Sequence, residues 1–254
     1  MFKNKKGNLY VVGLPIGNLK DISYRTEEYL KVAKNIVTEN EINFINFLKK
    51  ININRNDLNI ISIEAVEGGK FYEFERIKQI LELLNNGEDI YIVSDEGMPG
   101  VADPGQDVIR KAIENGIDVL STPGPSIAIA ASTVTGTGHN FLFDSFLPRE
   151  KDIRKNFLIN RKNLHVPMIL VLRNSVNDGK NNTLSNEIPE LLDELCVIFE
   201  KDRKASLCYN LTTKNEKVVR GTVEFLKKYF NDSTRDIRDQ ITIVIDIKNG
   251  NMPI

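Results

Sequence analysis

Apolar positions in the first half of the chain fall into two alternating patterns. Short near-continuous runs have the length and β-branched content of buried strands: "NLYVVGLP" from Asn8, "NIVTE" from Asn35, "LNIISI" from Leu58, "DIYIV" (Asp89–Val93) and "IDVLST" from Ile117. Between them lie helical segments. One runs from Ser23 to Ala33, with Tyr24, Tyr29 and Leu30 placed for burial. A short one covers "FINFLKK". A longer one carries Phe71, Phe74, Ile77, Leu81 and Leu84 at spacings of three and four and stops at Gly87, and another, "QDVIRKAIENG", ends at Gly116. Strands alternating with helices across short turns predict a parallel, doubly wound sheet.

After "TPGPS" (Thr122–Ser126) the pattern starts again. "FLFDSFL", "VPMILVL", "LCVIFE", "KASLCYNL" and "QITIVIDI" read as strands, with helices near Arg149–Arg161, Pro189–Leu195 and Val223–Tyr229. Several of these connections are short, which favours antiparallel pairing. The expectation is two α/β domains, 1–122 and 123–254, with a surface loop at Asn177–Glu187.

One stretch fits neither pattern. "SDEGMPGVADPG" (Ser94–Gly105) packs three glycines, two prolines and three acids into one strand-to-helix connection. In an open α/β sheet, ligands bind beyond the carboxyl ends of the strands. Glycine lets the backbone approach a ligand closely, and proline fixes the turn. Asp95, at the strand end, can accept hydrogen bonds from ligand hydroxyls or amines. The loop lacks the Lys and Ser/Thr of a phosphate cradle and its acids repel phosphate, so a neutral or cationic ligand suits it.

Composition narrows the picture further. A chain of 254 residues with 41% hydrophobic and 27% charged residues is ordinary for a globular protein that buries a full core. A formal net charge of −1 supplies no global field toward nucleic acid or membrane. The longest apolar runs, such as "MILVL", are too short to span a bilayer, and the lysine-led N-terminus, broken by Gly13 and Pro15, reads as a first strand and not a leader. Cys196 and Cys208 lack any metal or redox spacing and read as buried thiols of a reducing cytoplasm. With two histidines, His139 and His165, and no His/Cys cluster, no metal site is expected.

"LYVVGLPIGNLKDISYR", "SDEGMPGVADPG", "TPGPS" and "FLFDSFLPR", in this order and spacing over residues 9–149, resemble the tetrapyrrole methylase family of S-adenosylmethionine-dependent methyltransferases. Within it they are most similar to the ribosomal RNA small subunit methyltransferase I group, which 2′-O-methylates a cytidine of 16S rRNA. The resemblance implies two α/β domains with the cofactor cleft between them (the tetrapyrrole methylase fold), a homodimer, and rRNA or the small ribosomal subunit as partner. It also implies that S-adenosylmethionine is bordered by Leu14 and Pro15, lined by Asp95, Gly97 and Met98, and flanked by Ser126 and Ile127, with Leu172 contributing from the second domain.

The acceptor-side motifs depart from the family. Its A-E-D-T-R is "TENEI" here, keeping Glu39 but placing Asn40 and Ile42 where Asp and Arg stand. Its H-E-H-N falls on Gly69–Tyr72 without either histidine, and its E-S-P-H-R falls on "NSVND", keeping Ser175. R-E-L-T-K is "YNLTT", with Leu211 and Thr212 retained. Glu39 is the best surviving polar residue on that side, and no catalytic base is assigned. Six basic residues against two acids in Arg149–Lys162 could track a phosphate backbone or form a solvated helix face. Asp21 and Arg25 are expected to form an ion pair. Two other readings stay open: a divergent member methylating a small molecule, tetrapyrrole or peptide, and a cofactor-binding protein without methyltransferase activity.

Overall fold

The computed structural model describes residues 5–63, 70–138, 140–164, 166–172, 187–232 and 240–247. The chain divides into two compact units, Met1–Ser126 and Ile127–Ile254.

The first unit is a five-stranded parallel sheet, β1 (Leu9–Val12), β2 (Asn35–Thr38), β3 (Asn59–Ser62), β4 (Ile90–Ile92) and β5 (Val119–Thr122), in the order β3-β2-β4-β1-β5. Its helices are α1 (Tyr24–Val32), α2 (Glu41–Lys50), α3 (Lys70–Asn85) and α4 (Gly105–Glu114). Successive strand residues face opposite ways, and the cores show it. Val12, Ile36 and Val93 pack against Leu30 of α1 and Phe44 and Leu48 of α2. Leu9, Val11, Ile90 and Ile92 pack against Ile80 and Leu84 of α3 and Val108 and Ala112 of α4.

β4 therefore sends its chain to one face, while its neighbours β1 and β2 send theirs to the other. Both edges of β4 are topological switch points, where the loops splay apart at the carboxyl ends.

Two expected burials in this unit are not made. Ser23 caps α1 by accepting the Thr26 N–H at 3.1 Å, so Tyr24 stands on the first turn and is 90% exposed; Thr26 and Leu30, four apart, make the buried stripe. On α3 the core face is Ile77, Ile80 and Leu84, and Phe74 falls off it into solvent.

The second unit is a mixed five-stranded sheet, β6 (Leu142–Ser145), β7 (Met168–Leu172), β8 (Lys204–Tyr209), β9 (Lys217–Thr222) and β10 (Ile241–Ile245), in the order β6-β7-β10-β8-β9. β6 and β7 are parallel, and the remaining pairs are antiparallel. Its helices are α5 (Ile127–Thr135), α6 (Lys151–Arg161), α7 (Glu187–Ile198) and α8 (Val223–Asp232). "LCVIFE" is not the expected strand: Leu191, Leu192, Leu195 and Ile198 keep helical phase and bury their side chains against β7, β8 and β10, so α7 runs on to Ile198. α5 and β9 are additions to the elements expected.

Candidate functional site

The Ser94–Gly105 loop is held by its own short side chains. Ser94 Oγ donates to the Glu96 and Gly97 carbonyls at 3.0 and 3.3 Å. Asp103 Oδ1 accepts the N–H groups of Gly100 and Gly105 at 2.9 and 2.7 Å, which closes the turn into α4. Gly97 and Gly100 have φ of +78° and +82°, conformations that a side chain resists. Burial pushes the Asp103 carboxyl up, and the amides of Gly100, Gly105 and Val101 oppose that rise.

The loop is stitched to both neighbours of β4. Toward β1, Leu14 N–H donates to Gly97 O at 2.8 Å and Gly97 N–H returns the bond at 3.2 Å. Leu14 is buried, as is Pro15, and both backbone polar groups of Leu14 are spent on Gly97. Toward β2, the backbone N–H of Asp95 donates to Glu39 Oε1 at 3.1 Å. Asn43 Nδ2 donates to Asp95 Oδ2 at 2.6 Å, and Asn40, next to Glu39, caps α2 by accepting the Asn43 N–H at 3.0 Å. Glu39, Asp95, Asn43 and Asn40 thus form a closed ring across the β2–β4 switch point.

That ring is acidic. Glu39 is half-buried, and its carboxyl is pushed up to about 7, first by burial and then by Asp103, Asp95 and Glu96, against the Asp95 amide that lowers it. Such a rim attracts cations and repels phosphate. A sulfonium carrying an ammonium group fits it.

The sequence-derived residues separate by unit. Leu14, Pro15, Asp95, Gly97 and Met98 lie together in the first unit, around the β1–β4 switch point. Met98 Sδ accepts the Gly124 N–H at 3.2 Å, which ties the loop to "TPGPS" and brings half-buried Ser126 to the same end of the sheet. Ile127 opens α5, and Leu172 ends β7, buried, in the second unit.

Asn43, Asp103 and the Gly13–Gly124 crossing were not singled out from the sequence. An Asn three residues after an Asn cap is the one local signal that could have pointed to Asn43. His139, His165 and "NSVND" lie outside the described residues. In "YNLTT", Asn210 and Thr212 have φ of +47° and +67°, and the Thr212 N–H donates to Glu216 Oε2 at 2.6 Å.

Three further expectations change. Asp21 and Arg25 form no ion pair among the described residues. On α6, Arg154 is buried in a bidentate pair with Glu194 at 2.8 and 2.9 Å. Arg161 pairs with Asp144 at 3.0 Å and lies over the Phe157 ring, and Lys162 meets Glu200 at 3.7 Å. Half of that basic run is therefore spent inside the second unit, which leaves Arg149, Lys151 and Lys155 without an acidic partner among the described residues. Cys196 is half-buried, while Cys208 is buried, its thiol pushed up to about 11 by that burial, and both are free. Among the described residues no cluster of His, Cys, Asp and Glu could hold a metal, and no helix is long and apolar enough to cross a membrane.

Comparison with known proteins adds independent findings. The model of the tetrapyrrole (corrin/porphyrin) methylases matches residues 8–227. A ribosomal RNA small subunit methyltransferase I from Thermotoga maritima is 32% identical over 246 residues, which covers 95% of this chain and 99% of that protein. One from Halalkalibacterium halodurans is 29% identical over 245 residues, 96% and 77% of the respective chains. Among solved structures, the uroporphyrin-III C-methyltransferase of Thermus thermophilus, complexed with S-adenosylhomocysteine, superposes with a TM-score of 0.61. It is 14% identical, over 94% of this chain and 97% of that one, a likeness of fold.

Proposed function

The chain belongs to the tetrapyrrole methylase family and is an S-adenosylmethionine-dependent methyltransferase, and from that premise we propose that its acceptor is small-subunit ribosomal RNA, methylated at a cytidine 2′-oxygen. The supporting observation is the near full-length similarity to relatives bearing that name. The cofactor supplies an electrophilic methyl group on a sulfonium, whose sulfur keeps the bonding pair as a thioether. The residues of this chain have the remaining work of binding, orienting and moving a proton.

Asp95, Gly97 and Met98, with the backbone at Leu14 and Pro15 and with Ser126 at the same end of the sheet, would hold the cofactor from the first unit. Asp95 keeps Oδ1 for the ligand while Asn43 holds Oδ2. A cytoplasmic homodimer follows from the same reading, as does a phosphate track through Arg149, Lys151 and Lys155. A second reading, with a small molecule, tetrapyrrole or peptide as acceptor, draws on the internal pairing of Arg154, Arg161 and Lys162.

Two measurements test the proposal. Titration calorimetry with S-adenosylhomocysteine should give micromolar binding, about −8 kcal/mol. Asp95→Ala should weaken it by about 10- to 100-fold, the worth of one charged hydrogen bond. Transfer of labelled methyl to small subunits from cells lacking this modification then decides the acceptor. Cofactor binding without transfer to rRNA would turn the search to the second reading.

A further inference from the structure

We propose that Glu39 is the proton acceptor for the methyl-receiving group, taking the proton on Oε2 while Oε1 stays on the Asp95 amide. The inference rests on the methyltransferase reading and holds for whichever acceptor that reading finally takes.

The geometry prepares this carboxylate for such a role. Glu39 follows β2 at the switch point with β4, and its backbone is pinned because Ser62 Oγ donates to its carbonyl at 2.8 Å. Asp95 N–H holds Oε1 at 3.1 Å. Oε2 takes no hydrogen bond among the described residues. One oxygen is thus oriented by the loop expected to hold the cofactor, and the other is free to reach an acceptor. The Thr38 hydroxyl, one residue earlier, is fully buried with no partner among the described residues.

The electrostatics agree. From the loop after β4, the groups facing Glu39 are Asp95, Glu96 and Asp103, all acidic. From α2 come Asn40 and Asn43, which are neutral, while Ile42 points into solvent; from β3 comes Ser62. No Lys, Arg or His among the described residues pairs with it. With no cation of the protein to hold it ionised, the carboxyl of the unliganded chain is pushed up to about 7, where a base can both take up and release a proton at neutral pH.

The acceptor's O–H bond breaks and its electron pair forms the new O–C bond, as the bond from that methyl carbon to sulfur breaks with its pair left on sulfur, and the proton passes to Oε2 and from there to solvent. A role as a mere clamp for the loop would need only the hydrogen bond to Asp95, which a glutamine carbonyl also accepts. Glu39→Gln therefore separates the two roles.

The test is made on the full chain with two readouts. In wild type labelled with 13C-glutamate, the carboxyl resonance absent from Glu39→Gln should titrate with a midpoint near 7. In methyl transfer to small subunits, Glu39→Gln should lower kcat by about 10²- to 10⁴-fold with KM little changed. It should also erase the rising limb of the pH profile near 7, while binding S-adenosylhomocysteine as wild type does. An ordinary carboxylate midpoint overturns the proposal, and so does a variant that transfers within about threefold of wild type with its pH limb intact. If wild type moves no methyl onto small subunits, the rRNA reading fails; an ordinary carboxyl midpoint then still overturns the role of Glu39, and the same comparison of wild type with Glu39→Gln is made on the acceptor that wild type does methylate.

Discussion

Gly13 and Gly124 cross so closely that a Cβ on Gly13 would stand 2.6 Å from the Cα of Gly124 and 2.6 Å from Met98 Sδ. The reverse addition, on Gly124, would fall 2.7 Å from the Cα of Gly13. Backbone sits on both sides, so neither position can yield by a rotamer change. This crossing lets "TPGPS" lie against the end of β1 and lets the Gly124 N–H reach Met98.

Gly13→Ala should therefore destabilise the first unit by about 1–3 kcal/mol, the usual cost of forcing a methyl into a packed site. Calorimetric melting should show a lower Tm. S-adenosylhomocysteine affinity should fall with it, since Met98 and the loop must shift. A variant with unchanged Tm would show that the crossing is looser than its geometry.

The buried pair in the second unit makes a different prediction. Arg154 meets Glu194 through two parallel hydrogen bonds, and both side chains are over nine-tenths buried. Removing one partner strands the other charge, at about 3–5 kcal/mol. Arg154→Ala should cost that much in urea unfolding followed at equilibrium. Arg154→Met with Glu194→Leu should recover most of it, because replacing both charges by packed apolar groups is often neutral. A double variant as unstable as the single one would assign the loss to packing of the arginine stem.

Much of the fold was legible where local pattern and tertiary role agree. The central parallel strands of the first unit, β1, β2 and β4, are largely buried on both faces, so their apolar runs are nearly continuous, and glycines mark where α3 and α4 end. α5 was missed because "IAIAASTVT" has no polar face and therefore no helical period. β9, "KVVRGT", is an edge strand, half-exposed and polar, and reads as loop. "LCVIFE" has strand-like composition, and only the leucines before it reveal the helical phase. The same limit applies to the site. Composition exposed the Ser94–Gly105 loop, but the Glu39–Asp95 bond depends on β2 lying beside β4, and the Gly13–Gly124 crossing on β1 lying beside β5. Neither adjacency is written in any local stretch. Departures from the family pattern at Asn40 and Ile42 were visible, yet their effect on Glu39 needed the acids of the neighbouring loop.

Ser145 ends β6 with φ of +54°, next to a register shift after Phe143, and its buried hydroxyl has no partner among the described residues. A left-handed non-glycine residue and an unpaired buried hydroxyl each cost about 1–3 kcal/mol. Ser145→Gly removes both and adds back some unfolded-state entropy. The net expectation is stabilisation by about 1 kcal/mol or more, a rise in Tm of about 2–4 °C at this chain size. A lower Tm would mean that the hydroxyl or the Cβ serves the packing of β6.

The raised carboxyl of Glu39 has a signature in stability, independent of catalysis. In the unfolded chain this group has its ordinary value of 4.5, and in the folded chain about 7. Below pH 4.5 both states hold the proton. Between 4.5 and about 7 only the folded state does, so raising the pH through this window ionises a poorly solvated group and weakens the fold; above about 7 the loss is complete and constant. Glu39→Gln never ionises and keeps its bond to the Asp95 amide. Its Tm should match or trail that of wild type at pH 4.5, gain on it steadily up to about pH 7, and hold that advantage to pH 8.5. Glu28→Gln, at an exposed position on α1, serves as the control and should show no such trend. A Tm difference between wild type and Glu39→Gln that stays flat from pH 4.5 to 7 would mean that the folded chain solvates Glu39 as well as water does, and that its acidic surroundings leave it an ordinary carboxylate.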